Sequence, residues 1–149
     1  VTRSPVFRAM LKNRMTYRRS GIIRISGVSY DTLYAFVNYL YTAEASLDNE
    51  LACNLLVLGE KYQVKHLKTY CEKYLIAKMS WTKAVSNYAL ACQYDCKQLR
   101  NVSLAVIFGH MDSLTQDKCY AELLDTNPRL IVELYETYID MQLNTAGAF

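Results

Sequence analysis

A strongly patterned amphipathic segment, residues 29–45, constrains the fold of this chain more than any other feature. Its apolar side chains recur at helical spacing, which places them on one face of a predicted helix: Leu33, Phe36, Val37, Leu40 and Tyr41. Ser29 is placed to cap the first turn, and Asp31 adds negative charge where the helix dipole is positive. Because none of these side chains suggests catalysis, the segment predicts an element of packing and recognition.

The rest of the chain is predicted to be mostly helical. A helix is predicted to begin at Ser4 and Pro5 and a basic loop to follow at 15–21, and the β-branched run 22–25 predicts one short strand. Helical stripes on either side of a break at 63–64 predict a hairpin, and Ser80 is placed to cap a further helix. The last helix is predicted to begin at Asn127 and Pro128, and the tail 144–149 to fray.

Composition and charge exclude several classes of function. Hydrophobic residues make up 52% of the chain and charged residues 21%, which is typical of a globular protein. No apolar run approaches the roughly 20 residues of a membrane span, so no membrane association is predicted. The net charge is only +3, and the arginines between positions 14 and 24 lack the interleaved aromatic residues and glycines of single-strand binders. Nucleic acid is therefore not a predicted partner.

The five cysteines are predicted to be free thiols. Their number is odd and no close framework spacing occurs, which favours a reducing compartment and predicts a cytoplasmic and/or nuclear protein. Cys92 and Cys96 lie one helical turn apart, so a redox or metal protein is an alternative. His66 and His110 have no partner at ligand spacing, and no metal or cofactor is predicted.

No arrangement of residues typical of an enzyme is present. The chain lacks a glycine-rich phosphate loop, a nucleophile elbow and a zinc-protease motif. Glu133 and Glu136 fall on what should be the solvated face of the last helix. The 13 tyrosines fall mostly on helical stripes, where their rings fill a core or an interface. We therefore predict no catalytic residue.

Five ordered segments together resemble a BTB/POZ domain, and plant members with a helical region after the domain are most similar. The segments are 3–11, 22–25, 39–42, 60–67 and 71–72. The resemblance implies a partial BTB/POZ domain at 1–79 and a helical three-box or BACK-like extension at 80–149. The expected fold is mainly α, within an α+β family, N-terminally truncated and with one residual short strand. Since the first strands and helix of the family are absent from this sequence, we expect a fragment or a processed product.

The resemblance implies a protein–protein interaction module that dimerises and, in many members, links a substrate-binding domain to a cullin scaffold in a ubiquitin ligase. Cullin-binding members carry a hydrophobic-x-Glu pattern, for which Met15 matches the hydrophobic position while Tyr17 replaces the glutamate. The predicted partner-binding residues are Met15, Tyr17, Arg18, Tyr39 and Tyr41. Two alternatives stay open. One is an oligomerisation or scaffold module without cullin binding, as a homodimer or hetero-oligomer, and the other is a truncated product that folds poorly.

Overall fold

The computed structural model of the protein describes residues 28–147, which form helices joined by short turns. The α-helices are α1 Tyr30–Thr42, α2 Asn49–Lys61, α3 Lys65–Ala77, α4 Trp81–Gln93, α5 Lys97–Phe108, α6 Lys118–Thr126 and α7 Pro128–Gly147, and a 3-10 turn lies at Leu114–Gln116. Because 28–147 contain helices and no strand, the prediction of a mainly α chain is confirmed. The predicted first helix, the basic loop 15–21 and the strand 22–25 lie outside the described residues.

The chain divides into two compact units, residues 1–75 and 76–149. The assignment of 80–149 to a three-box or BACK-like extension stays a prediction. No helix in the described part of the chain has both the length and the apolar character needed to cross a membrane.

The start of α1 confirms the capping prediction. Ser29 precedes the helix in an extended conformation, its hydroxyl accepts from the backbone N–H of Thr32 at 3.3 Å, and Asp31 lies in the first turn. The helix ends at Thr42, earlier than predicted, because Ala43 adopts a left-handed conformation with φ of 59°. The backbone N–H of Ala43 donates to the carbonyl oxygen of Tyr39 at 2.7 Å, and this hydrogen bond closes the last turn of α1.

The buried face of α1 is rotated from the predicted one. Its buried side chains are Thr32, Phe36, Tyr39 and Leu40, whereas Leu33 and Val37 are half-buried. The placement of Tyr41 on the buried face was wrong, since its side chain is exposed. Tyr39 takes the inward position instead because two successive steps of a helix turn a side chain by about 200°.

The predicted break between α2 and α3 is confirmed, and a Schellman motif produces it; the packing of the two helices as a hairpin stays a prediction. Gln63 adopts φ of 57°, its N–H donates to the carbonyl oxygen of Glu60 at 3.3 Å, and Val64 donates to that of Gly59 at 2.8 Å. Val64 is buried, as the apolar residue after such a cap usually is. The first unit is held by side chains of all three helices: Phe36, Tyr39, Leu40, Ala52, Leu55, Leu56, Leu58, Tyr62, Leu67, Cys71 and Leu75.

The second unit repeats the same helix ending and encloses its own core. At the end of α4, Asp95 adopts φ of 55° and Cys96 donates to the carbonyl oxygen of Ala91 at 2.9 Å, with its side chain buried. The core is formed by Ala84, Val85, Tyr88, Leu104, Ile107, Leu114, Leu123, Ile131 and Leu134.

Three details of the second unit differ from the prediction. Ser80 occupies the N-cap position of α4 as predicted, yet its hydroxyl pairs with that of Thr82 at 3.0 Å and not with a backbone N–H. Helix α6, capped by Asp117 through the N–H of Tyr120 at 3.0 Å, was not predicted. Helix α7 continues to Gly147, beyond residue 144, where the prediction places the start of fraying.

Candidate protein-interaction surface

The structure describes two of the five predicted partner-binding residues, and it places their side chains in different environments. Met15, Tyr17 and Arg18 lie outside the described residues. Tyr39 and Tyr41 both belong to α1, but the side chain of Tyr39 is fully buried whereas that of Tyr41 is exposed. Of this pair, only Tyr41 contributes to the surface.

Tyr39 holds α1 against α3. Its hydroxyl hydrogen-bonds with Nδ1 of His66, and the two rings stack with centroids 6.2 Å apart. The ring of Tyr70 lies 6.1 Å away on the same helix α3, and its hydroxyl donates to the carbonyl oxygen of Ala45 at 3.2 Å. A partner could contact Tyr39 only if the ring left the core. The residue therefore positions the helix that carries the exposed tyrosines.

Three exposed tyrosines form one face of α1, which we call the tyrosine face: Tyr30, Tyr34 and Tyr41. Their exposure ranges from 62 to 78%. Because they are four and seven residues apart, they project within about 40° of one another around the helix. The rings of Tyr30 and Tyr34 stack with centroids 6.4 Å apart and an interplanar angle of 27°. The rings of this surface offer a partner a large, rigid aromatic area, and their hydroxyls can bind water or the partner.

An open groove of about 520 Å³ lies beside the tyrosine face. It is lined by Tyr30, Asp31, Tyr34, Ala35, Asn38, Ala45, Ser46 and Leu51, from α1, the following turn and the start of α2. Asp31 is the charged member of this lining. The groove therefore combines an aromatic wall with a carboxylate at the N-terminal end of α1.

Sequence analysis missed Tyr30 and Tyr34 as surface candidates. The signal was present, because the two residues share an i, i+4 spacing and lie off the stripe of Phe36 and Leu40. Large aromatic side chains on the solvent face of a helix are enriched at protein interfaces. The prediction for α1 was based on its apolar stripe, which lies on the opposite side of the helix.

Burial favours the protonated thiol of Cys71 in the first unit and of Cys92 in the second. Burial raises the pKa of Cys71 to about 12, and the neighbouring Cys53 adds to this effect. Burial likewise raises the pKa of Cys92, although Tyr88 and Arg100 oppose it. Thiolates are the nucleophilic and metal-binding form, so these surroundings are unfavourable for the redox or metal alternative. Among residues 28–147, no cluster of three or more histidines, cysteines or carboxylates could hold a metal ion.

Comparison with known proteins identifies relatives over nearly the whole chain. Residues 1–79 match the family model of the BTB/POZ domain. A BTB/POZ domain-containing protein of Arabidopsis thaliana is 54% identical over 147 residues, which cover 99% of this chain and 60% of that protein. Protein maternal effect lethal 26 of Caenorhabditis elegans is 31% identical over 147 residues, covering 97% of this chain and 37% of that protein.

A mouse protein also matches most of this chain. TD and POZ domain-containing protein 2 of Mus musculus is 26% identical over 142 residues, covering 94% of this chain and 39% of that protein. The chain thus spans less than two thirds of the length of each of these relatives.

Proposed function

The chain belongs to the BTB/POZ family, and from this premise we propose that it acts as an adaptor that holds a cullin-type scaffold in a ubiquitin ligase. Membership of this family makes the chain a protein–protein interaction module. BTB/POZ domains mediate protein–protein interactions and oligomerisation and are generally non-enzymatic. The identity of the partner is the part that we propose.

The observation that carries the proposal is the tyrosine face of α1, which lies within the matched residues 1–79. Tyrosine is one of the residue types that dominate binding energy in protein interfaces, because its large ring loses little conformational freedom on binding. Tyr41, a predicted partner-binding residue, belongs to this face together with Tyr34. Tyr39 packs against His66 on the opposite side of α1 and holds this helix in place. A partner can therefore bind the tyrosine face without a prior rearrangement of α1.

The proposal is tested by the affinity of the chain for the N-terminal domain of a cullin, measured by titration calorimetry. We expect the double variant Tyr34→Ala with Tyr41→Ala to bind at least about tenfold more weakly, as loss of an interface hot spot does. Leu124→Ala is the matched control, since Leu124 is an exposed apolar residue of α6 outside the tyrosine face. Unchanged affinity in the double variant would contradict the proposed surface.

Tyr17 provides a second arm of the same test. It stands where cullin-binding family members carry a glutamate, so we expect Tyr17→Glu to strengthen cullin binding. If neither the original chain nor Tyr17→Glu binds any cullin, the ligase part of the proposal fails.

An oligomerisation or scaffold module without cullin binding is the second candidate, and the aromatic residue at position 17 favours it. Light scattering distinguishes the two candidates when it is combined with the cullin titration. A stable dimer or larger oligomer that ignores cullin supports this second candidate. A cullin complex with one cullin for each copy of the chain supports the first.

We also propose that the protein works in the cytoplasm and/or nucleus. No disulfide bond joins any of the five cysteines, and Cys71 and Cys96 are buried, which suits a reducing compartment. Imaging of the tagged protein tests this proposal, and accumulation in a secretory compartment would contradict it.

A further inference from the structure

Helix α7 carries an exposed apolar face that the core of its unit does not use. Ile131 and Leu134 are buried, whereas Val132, Ile139 and Leu143 are between 52 and 64% exposed. We call these three residues the α7 stripe. Their spacings of seven and four residues align them within about 40° around the helix and extend over about 16 Å along it. This length corresponds to three turns of a partner helix.

Acidic side chains border the α7 stripe on one side. The charged residues of α7 are Arg129, Glu133, Glu136 and Asp140. Arg129 pairs with Glu133 at 3.4 Å, whereas no ion pair reaches Glu136 or Asp140 from residues 28–147. Glu136 and Asp140 are exposed and one turn apart, an arrangement in which like charges destabilise a helix. A cation placed beside both carboxylates would remove this repulsion.

We propose that the α7 stripe docks one amphipathic helix of a partner protein, with Leu, Ile or Met on its contact face and Lys or Arg along its flank. The apolar residues of that helix would cover Val132, Ile139 and Leu143, as in helix-in-groove recognition. Its basic flank would lie against Glu136 and Asp140. This inference concerns the second unit and is independent of cullin binding at the tyrosine face.

Charge complementarity favours this occupant over a second copy of the chain. In an antiparallel symmetric pair the acidic flank of each α7 would face that of the other copy, and in a parallel pair it would face the opposite flank, which carries Tyr135 and Gln142 and no cation. Like charges facing each other across an interface weaken association. A basic partner helix gains from the same carboxylates.

The test uses the 149-residue chain and two synthetic helical peptides of about three heptads each. One peptide carries leucines on one face and lysines on the flank, and the other has glutamates in place of the lysines. We expect the lysine peptide to shift the backbone NMR signals of residues 132–143 and to bind at least tenfold more tightly than the glutamate peptide. Its affinity should fall several-fold as salt rises from low to high concentration.

Two sets of variants test the apolar part and the acidic part of the site separately. Ile139→Ser should weaken the lysine peptide at least tenfold, whereas Met141→Ser, an exposed residue on the other side of α7, should not. Glu136→Lys with Asp140→Lys should reverse the preference toward the glutamate peptide. Glu122→Lys, at an exposed carboxylate of α6, is the matched charge control and should leave the preference unchanged.

Four results would overturn the proposal. These are equal binding of both peptides, binding of neither, signal changes that map away from α7, and self-association of the chain that Ile139→Ser abolishes. Circular dichroism of each variant checks that the helices remain folded, so a lost affinity reports the surface.

Discussion

The hydroxyl of Tyr88 in α4 donates a hydrogen bond to the backbone carbonyl oxygen of Leu130 in α7 at 2.7 Å. The two residues are 42 positions apart, and the ring of Tyr88 is completely buried in the core of the second unit. Burial raises the pKa of this phenol, the neighbouring Cys92 adds to the effect, and Arg100 partly opposes it. The bond therefore ties the first turn of α7 to α4 through a protonated hydroxyl.

Tyr88→Phe should lower the free energy of unfolding of the second unit by about 1 kcal/mol, the usual net contribution of one hydrogen bond. The ring and its packing are retained, so the loss reports the hydroxyl. A decrease of about 4–8 °C in the melting temperature is expected for a unit of this size. Tyr94→Phe is the control, because no hydrogen bond of its hydroxyl occurs within residues 28–147. Equal stability of the two variants would contradict the assigned role.

The hydroxyls of Tyr120 and Tyr135, 3.1 Å apart, should make the second unit sensitive to alkali. This hydrogen bond, together with burial, raises the pKa of Tyr135 from 10 to about 12. Between these two values the unfolded chain has lost a proton that the folded chain keeps, so stability falls as pH rises. Below pH 10 both states are protonated, and the contribution to stability is fully present.

The fluorescence of Trp81, the single tryptophan of the sequence, measures unfolding of this unit directly. Denaturant midpoints recorded from pH 9 to 12 should fall less steeply for Tyr135→Phe than for the original chain. Tyr120→Phe should also flatten the curve, because it removes the first cause of the raised pKa of Tyr135. An unchanged slope in both variants would contradict the assignment.

Local sequence rules predicted the elements of the fold well where capping chemistry is strong. Ser29 caps α1 as expected, and Pro128 begins α7. Each of these residues acts on the backbone within three positions, so the relevant physics is contained in the printed order of residues. The break at Gln63 and Val64 is equally local.

The rotation of α1 depended on contacts that the order of residues does not reveal. Tyr39 and Tyr41 have the same side chain, and which one turns inward is decided by the rings of His66 and Tyr70 on α3. Helix α6 was missed because its nine residues bury only Leu123. The tyrosine face was not predicted because its residues are not part of the core.

Gly59→Ala should destabilise the first unit, although alanine is the better helix former by about 1 kcal/mol. An added Cβ would lie 3.1 Å from the backbone nitrogen of Lys68 and 3.3 Å from the carbonyl oxygen of Val64. Both atoms belong to backbone at the start of α3, so α2 and α3 would have to move apart. Overpacking of this kind costs about 1–3 kcal/mol, measurable by chemical denaturation.

Gly109→Ala is the matched control for Gly59→Ala. Its Cβ would meet nothing closer than 3.5 Å, and its φ of −75° is accessible to any residue. We expect unchanged or slightly raised stability from the reduced freedom of the unfolded chain. A loss at Gly109 comparable to that at Gly59 would show that close packing of α2 on α3 is not the cause.

Tyr39→Phe should lower the stability of the first unit, whereas Tyr41→Phe on the same helix should not. The hydroxyl of Tyr39 hydrogen-bonds with Nδ1 of His66 between α1 and α3, and its removal deletes this bond, at a cost of about 1 kcal/mol. Tyr41 is exposed and its hydroxyl can bind water. Hydrogen exchange of the amides in α1 and α3 measures the difference, because loosening of this contact should speed exchange in both helices together. If Tyr41→Phe accelerates exchange as much as Tyr39→Phe does, the buried hydroxyl does not hold the helix that presents the tyrosine face.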